Sequence, residues 1–195
     1  MYGEDVVRAY TYAVAEFNAS QEKYQMQLIF EDGKCDQKDA TSAAQKLIDF
    51  DKVNFLLGGP CSVETIGASN VAQQYGLSII SSVASAGKLS DFGNIIRYIN
   101  DDLMGKELGN YVSQTSNHIT IITENDEYGV GFRDDFIESY KGNVINNLTF
   151  NPDEKDFAML ARQVSRNNID GVMGIFHVED TLKNFLLALQ KNPQI

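Results

Sequence analysis

Short apolar runs alternate with amphipathic stretches along most of this 195-residue chain. Each apolar run has the length of a strand, and each amphipathic stretch repeats its apolar residues at the spacing of a helix face. The pattern predicts strands at 27–30, 53–57, 77–80, 119–122, 144–148 and 171–176. It predicts helices at about 5–17, 64–75 and 103–115, two more after the N-cap candidates Asp36 and Asp156, and a last one over 182–189. Strands alternating with helices are typical of βαβ units, so we predict an α/β fold with parallel sheets.

Three of these helices have a well-defined apolar face, which we expect to be buried. The predicted inner positions are Ala40, Ala43, Ala44, Leu47 and Ile48, then Phe157, Leu160, Ala161 and Val164, and finally Leu182, Phe185, Leu186 and Leu189.

The same rhythm occurs twice, with a change near residues 98–100, and it predicts two lobes at 1–98 and 99–195. The first lobe opens on a helix and the second closes on one. A doubly wound domain starts with a strand, so we expect the first strand of lobe one and the C-terminal part of lobe two to be missing. Without that strand, lobe one would have unpaired strand edges that favour self-association. We therefore expect lobe one to be completed by another chain, distorted or only marginally stable.

The net charge and the hydropathy of the chain argue against several kinds of binding partner. A net charge of −11 opposes binding to nucleic acid or to an anionic membrane surface. No apolar run reaches the roughly 18–20 residues of a membrane span, and residues 1–5 lack the features of a signal peptide.

The residues able to carry catalysis or bind metal are few. Cys35 and Cys61 fit either a disulfide or two buried thiols. The two histidines, His118 and His177, are far from each other and from the cysteines, so no metal cluster is expected. A nucleophile elbow and a Walker loop are both absent, and we expect a binding protein without a cofactor rather than an enzyme.

Several segments in order along the chain resemble one family. They are residues 30–36, 40–47, 58–62, 80–85, 127–131 and 155–157. Together they resemble the branched-chain amino-acid (Leu/Ile/Val) type of periplasmic solute-binding protein of ABC transporters. The resemblance implies a type I periplasmic-binding fold of two Rossmann-like lobes, and a disulfide between Cys35 and Cys61. The same resemblance implies a periplasmic or extracellular location and a membrane permease as partner. It also implies that a small polar ligand, an amino acid or a related carboxylate or amide, is captured between the lobes.

In lobe one the resemblance implies ligand contacts from Ser62, Ala84, Ser85 and Tyr2. Ser62 follows a strand and opens a helix, where a ligand carboxylate would be favoured. The Ala84 carbonyl and the Ser85 hydroxyl would hold an ammonium and a carboxylate. The residues alone favour an ordinary N-cap serine and a polar strand-to-helix loop over ligand contacts.

In lobe two the candidates are Tyr128 and His177. The resemblance implies that the Tyr128 ring covers the ligand and that residue 177 lies where the family has an aromatic residue. A histidine there would alter ligand choice and introduce pH dependence. The alternatives are a tyrosine packed beneath the turn at 129–131 and a surface histidine. At the level of function, the alternative is a ligand-sensing domain of a receptor or regulator with the same fold.

Overall fold

The computed structural model describes residues 2–99, 102–165, 168–177 and 179–192. Its helices are α1 Tyr2–Ser20, α2 Gln37–Asp49, α3 Ser62–Gln74, α4 Asp102–Val112, α5 Glu127–Ser139, α6 Ala158–Ser165 and α7 Glu179–Gln190. Its strands are β1 Leu56–Leu57, β2 Ile79–Ser81, β3 Ile95–Arg97, β4 His118–Glu124, β5 Asn143–Phe150 and β6 Gly171–Ile175. A 3₁₀ turn covers Gly87–Asp91.

The chain divides into two compact units. The first comprises residues 1–85 and 89–99, and the second comprises residues 86–88 and 100–195. Among the residues that the structure describes, each unit contains one three-stranded sheet, and every strand pair in both sheets is parallel. The predicted α/β fold with parallel sheets is confirmed.

The sheet of the first unit has the order β1-β2-β3. Its core joins this sheet to α2 and α3 through buried Ala44, Ile48, Val71 and Ile79. The two helices lie close together because α3 has Gly67 at their contact, where a Cβ would stand 2.4 Å from the Gln37 carbonyl oxygen. The inner face predicted for α2 is the face that packs, with Ala40, Ala44 and Ile48 buried.

One strand predicted for this sheet is wrong, and one observed strand was not predicted. Residues 27–30 lie in no strand, and Ile29 and Phe30 are 39% and 46% exposed. A strand needs a neighbouring backbone to hydrogen-bond with, and none among the described residues pairs with this segment. The sequence pattern also missed β3, because its three residues are too few to show a period of two.

The sheet of the second unit has the order β5-β4-β6, with β4 in the centre. A central strand packs on both faces, which explains why six of the seven β4 residues are buried and why its sequence is a continuous apolar and threonine run. One core cluster contains Ile119, Ile121, Phe132 and Phe136. A second contains Ile122, Phe150, Phe157, Val164 and Phe185.

Helix α7 buries less than its pattern predicts. Phe185 is 2% exposed, but Leu182 and Leu186 are 39% and 48% exposed. The prediction that both leucines lie inside is wrong, because the helix packs with a narrower stripe through Thr181 and Phe185. No helix within the described ranges is both long and apolar enough to cross a membrane.

Candidate functional site

The first unit places Ser62 in the first turn of α3, directly after the loop that leaves β1. The first N–H groups of a helix have no acceptor within the helix, and the helix dipole is positive there. Ser62 is only 4% exposed and has contacts within the chain. Ser62 is therefore a buried residue of the first helical turn, at a position that favours an anion.

This helix start is fixed by a disulfide and by one buried carboxylate. Cys35 and Cys61 form the disulfide, with their Cα atoms 5.5 Å apart, so the pairing is confirmed. Glu64 accepts hydrogen bonds from the Cys35 N–H at 2.9 Å and from the Cys61 N–H at 3.2 Å. Gly33 and Gly59 leave room for it, since a Cβ at either would come within 2.7 Å of a Glu64 carboxylate oxygen.

Glu64 also approaches both sulfur atoms, and the three side chains have ligand atoms within 4.8 Å of one another. Sulfur atoms that are bonded to each other have no thiolate to offer a metal ion. The cluster therefore has a structural role, which is to hold the segment around Cys35 against the start of α3.

The second loop of this unit follows β2 and carries Ala84 and Ser85. Ala84 is buried against Ile66, which lies one turn beyond Ser62 on α3. The Arg97 guanidinium, at the end of β3, donates a 2.9 Å hydrogen bond to the Ser85 carbonyl oxygen. On the other side, the Tyr10 hydroxyl lies 2.8 Å from the Ser82 hydroxyl. These contacts hold the loop at the carboxyl edge of the sheet, where open α/β folds bind ligands.

In the second unit the corresponding edge is built where β4 ends and α5 begins. Asp126 is the N-cap of α5, and its side chain accepts a 2.6 Å hydrogen bond from the Gly129 N–H. Gly129 is needed because a Cβ there would lie 2.3 Å from the Glu124 carbonyl oxygen. This close approach of Gly129 to Glu124 fixes the position of Tyr128, which lies between them in the chain.

His177 follows β6 and is held by two carboxylates from the end of β4. Its backbone N–H donates to Glu124 Oε2 at 2.8 Å, and its ring Nδ1 lies 2.8 Å from Asp126 Oδ2. The hydrogen bond to Asp126 raises the pKa of His177 above its ordinary value, against the opposing effect of burial, and the charges of Asp126 and Glu124 act in the same direction. Glu124 is 1% exposed and also accepts from the Thr181 hydroxyl at 3.4 Å, which ties the start of α7 to the same carboxylate.

The rings of Tyr128 and His177 are neighbours, with centroids 5.5 Å apart. The ring centroids of Tyr128 and Phe132 are 6.0 Å apart, and Tyr128 packs against the core cluster that contains Phe132. Tyr128 and His177 are 49 positions apart in the chain and were both candidates from the family resemblance. They form one aromatic pair at the carboxyl edge.

Sequence reasoning missed three residues that support the candidates. Arg97 was missed because β3 was not predicted. Glu124 and Asp126 had a weak signal, since both come where an apolar strand ends and Asp126 precedes Gly129 by the spacing of an N-cap contact. Tyr2 begins α1, but its side chain lies outside the part of the chain that the structure describes.

Comparison with known proteins shows to which family this chain belongs. The family model described as periplasmic binding protein matches residues 1–191. The chain belongs to the periplasmic binding protein family. The Leu/Ile/Val-binding protein of Escherichia coli K12 is 28% identical over 189 residues, which cover 91% of this chain and 51% of that protein. This periplasmic binding protein chain therefore spans about half the length of the curated relatives it matches.

Solved structures agree with this family assignment. The branched-chain amino acid transporter substrate binding protein LivJ of Streptococcus pneumoniae, in complex with isoleucine, is 27% identical with a TM-score of 0.74. That match covers 83% of this chain and 49% of the other. A periplasmic binding protein of Burkholderia mallei is 19% identical with a TM-score of 0.84, covering 95% of this chain and 51% of the other. The predicted family and type I periplasmic-binding fold are confirmed, and these relatives are binding proteins, as expected for a chain without a catalytic motif.

Proposed function

We propose that this chain belongs to an extracytoplasmic solute-binding protein that captures a small polar ligand, an amino acid or a related carboxylate or amide, for uptake by an ABC transporter. The lobes are residues 1–98 and 99–195, a division supported by the two compact units that change over between residues 99 and 100. The partner in the membrane is the transporter permease, which receives the loaded protein.

The observation that carries the proposal is that each unit presents its candidate residues at the carboxyl edge of a parallel sheet. In the first unit, Ser62 and the Ala84–Ser85 loop supply a helix N-terminus, a carbonyl and hydroxyls, a set suited to an α-carboxylate and an ammonium. Arg97 holds the Ser85 carbonyl and so keeps this loop in one conformation. Tyr2 is the remaining proposed contact from this lobe.

In the second unit, Tyr128 and His177 supply an aromatic surface with one polar edge. Such a surface suits the side chain of an amino acid, which is largely apolar near its backbone. The Leu/Ile/Val-binding relatives and the isoleucine complex support an amino acid as the ligand class.

The test is calorimetric titration of the full-length protein with aliphatic amino acids, polar amino acids, amides and aromatic carboxylates, before and after Ser62→Ala. We expect binding of at least one class, and a loss of about tenfold to a hundredfold in affinity in the variant, because a hydrogen bond to a charged group contributes roughly 1.5–3 kcal/mol.

Ser42→Ala is the matched control. Ser42 is an exposed serine within α2 whose hydroxyl donates to the Lys38 carbonyl oxygen, so its loss should leave affinity unchanged. An equal loss in both variants, or no binding of any class by the folded protein, contradicts the proposal.

A further inference from the structure

The geometry around His177 leaves one ring nitrogen for a ligand. Nδ1 lies 2.8 Å from Asp126 Oδ2, and an ionised carboxylate accepts, so Nδ1 carries its proton in either charge state. Nε2 makes no hydrogen bond to any residue in the described part of the chain. The His177 side chain is 26% exposed, which is enough for a ligand atom to reach the ring.

The ring is also fixed in place rather than free to turn. Glu124 holds its backbone N–H, Asp126 holds Nδ1, and the Tyr128 ring lies 5.5 Å away on one side. A side chain held on its backbone and on its ring loses little further freedom when it binds, which favours affinity and selectivity.

We propose that His177, held by Asp126 and Glu124, is the group in lobe two that selects the ligand's side chain, donating from Nε2–H to an uncharged oxygen such as a hydroxyl or an amide carbonyl. This inference rests on the proposed solute-binding function and names the ligand class of that site: a polar, uncharged amino acid in preference to its aliphatic isostere.

The charges that face His177 explain why the oxygen should be uncharged. Asp126 and Glu124 place two carboxylates against one imidazolium, so a third anionic group would be repelled. Tyr128 of α5 contributes an aromatic ring, and Glu127 of the same helix is paired with Lys88. In the first turn of α7, Glu179 and Asp180 are exposed, where solvent and salt screen them.

The sign of the pH dependence follows from the proton on Nε2. The imidazolium donates from Nε2, whereas the neutral ring with its proton on Nδ1 offers Nε2 only as an acceptor. Asp126 raises the pKa of His177 above its ordinary value of about 6.5, so the donating form persists towards neutral pH. Affinity for an oxygen-bearing ligand should be highest below this raised pKa and should fall as pH rises through it.

The experiment titrates the full-length protein with two isosteric pairs, threonine against valine and asparagine against leucine, between about pH 5.5 and about pH 8.5. We expect the oxygen-bearing member to bind about tenfold more tightly at the acidic end. This advantage should shrink at the alkaline end, where Nε2 of the neutral ring can only accept a weaker hydrogen bond from the O–H or N–H of the ligand. His177→Phe should remove the advantage and its pH dependence while keeping the aliphatic members bound.

Asp126→Asn separates the charge of Asp126 from its capping role, because asparagine is an equally good N-cap for α5. With Oδ1 kept on the Gly129 N–H, the amide nitrogen faces His177 Nδ1, so the neutral ring carries its proton on Nε2. The variant should fold, and its advantage for the oxygen-bearing ligand should no longer depend on pH. His118→Phe is the control, since His118 is an exposed histidine at the start of β4, and its profile should match the wild type.

An equal affinity within each pair at every pH, or an unchanged profile in His177→Phe, overturns the inference but leaves the solute-binding function standing. Failure of all four amino acids to bind the folded protein at any pH overturns this inference, and failure of every ligand class overturns the proposed function as well.

Discussion

Glu64 shows how one side chain organises the start of α3. It is 7% exposed and accepts from two backbone N–H groups that are 26 residues apart in the chain, those of Cys35 and Cys61. Cys35 and the preceding Lys34 have positive φ angles of 55° and 52°, a conformation that costs free energy in a residue with a side chain. The carboxylate offsets part of that cost by accepting the hydrogen bond of the Cys35 N–H.

We expect Glu64→Ala to lower the free energy of unfolding of the first unit by about 3 kcal/mol, because it leaves two N–H groups without their charged acceptor. Glu64→Gln, which keeps one acceptor oxygen, should lose less. Chemical denaturation followed by circular dichroism measures both changes. Glu107→Ala, at an exposed position of α4, is the control, and a similar loss there would show that the effect is not specific to this carboxylate.

At the scale of elements, contacts between helices in each unit depend on glycine. In α4, a Cβ at Gly109 would lie 2.5 Å from the Phe136 carbonyl oxygen of α5, so the two backbones are in contact. Gly131, within α5 itself, has no atom within 4 Å of the Cβ position apart from its chain neighbours and the backbone of its own helix. The two glycines therefore have opposite reasons to be present, although both interrupt a helical pattern in the sequence.

Alanine at these two positions should act in opposite directions. Gly109→Ala forces α4 and α5 apart and should destabilise the protein by about 1–3 kcal/mol, despite the better helix propensity of alanine. Gly131→Ala has room for its methyl group and should stabilise by roughly 0.5–1 kcal/mol. Thermal unfolding of both variants provides the measurement, and a gain in stability for Gly109→Ala would show that the helix contact tolerates a side chain.

Individual strands and helices also show what the sequence could and could not predict. Strand β4 and helix α2 were predicted because a buried strand has a continuous apolar run and a helix on a core has a periodic apolar face. The strand at 27–30 was predicted from local pattern and is not formed, because a strand depends on a partner that local pattern does not contain. In the candidate site, Tyr128 and His177 were identified from the family resemblance and from their positions after strands. Glu124 and Asp126 had only a weak signal, because their hydrogen bonds to His177 are tertiary contacts that the sequence does not show.

The disulfide constrains only one of the two units of the molecule. Cys35 precedes α2 and Cys61 caps α3, so the bond ties together the two helices that cover the first sheet, and every residue it constrains belongs to the first unit. The 26-residue separation of the two cysteines limits the freedom of the unfolded chain in that unit and leaves the second unit unaffected.

We therefore expect a double Cys35→Ser, Cys61→Ser variant to lose about 3 kcal/mol of stability in the first unit alone. Hydrogen exchange read by mass spectrometry should show faster exchange in α2 and α3, with β4 and α5 unchanged. Adding a reductant to the wild type should reproduce this pattern, and adding it to the double variant should change nothing further. Faster exchange in both units would mean that they unfold as one cooperative body, and unchanged exchange in α2 would mean that the Glu64 hydrogen bonds alone hold the helix start.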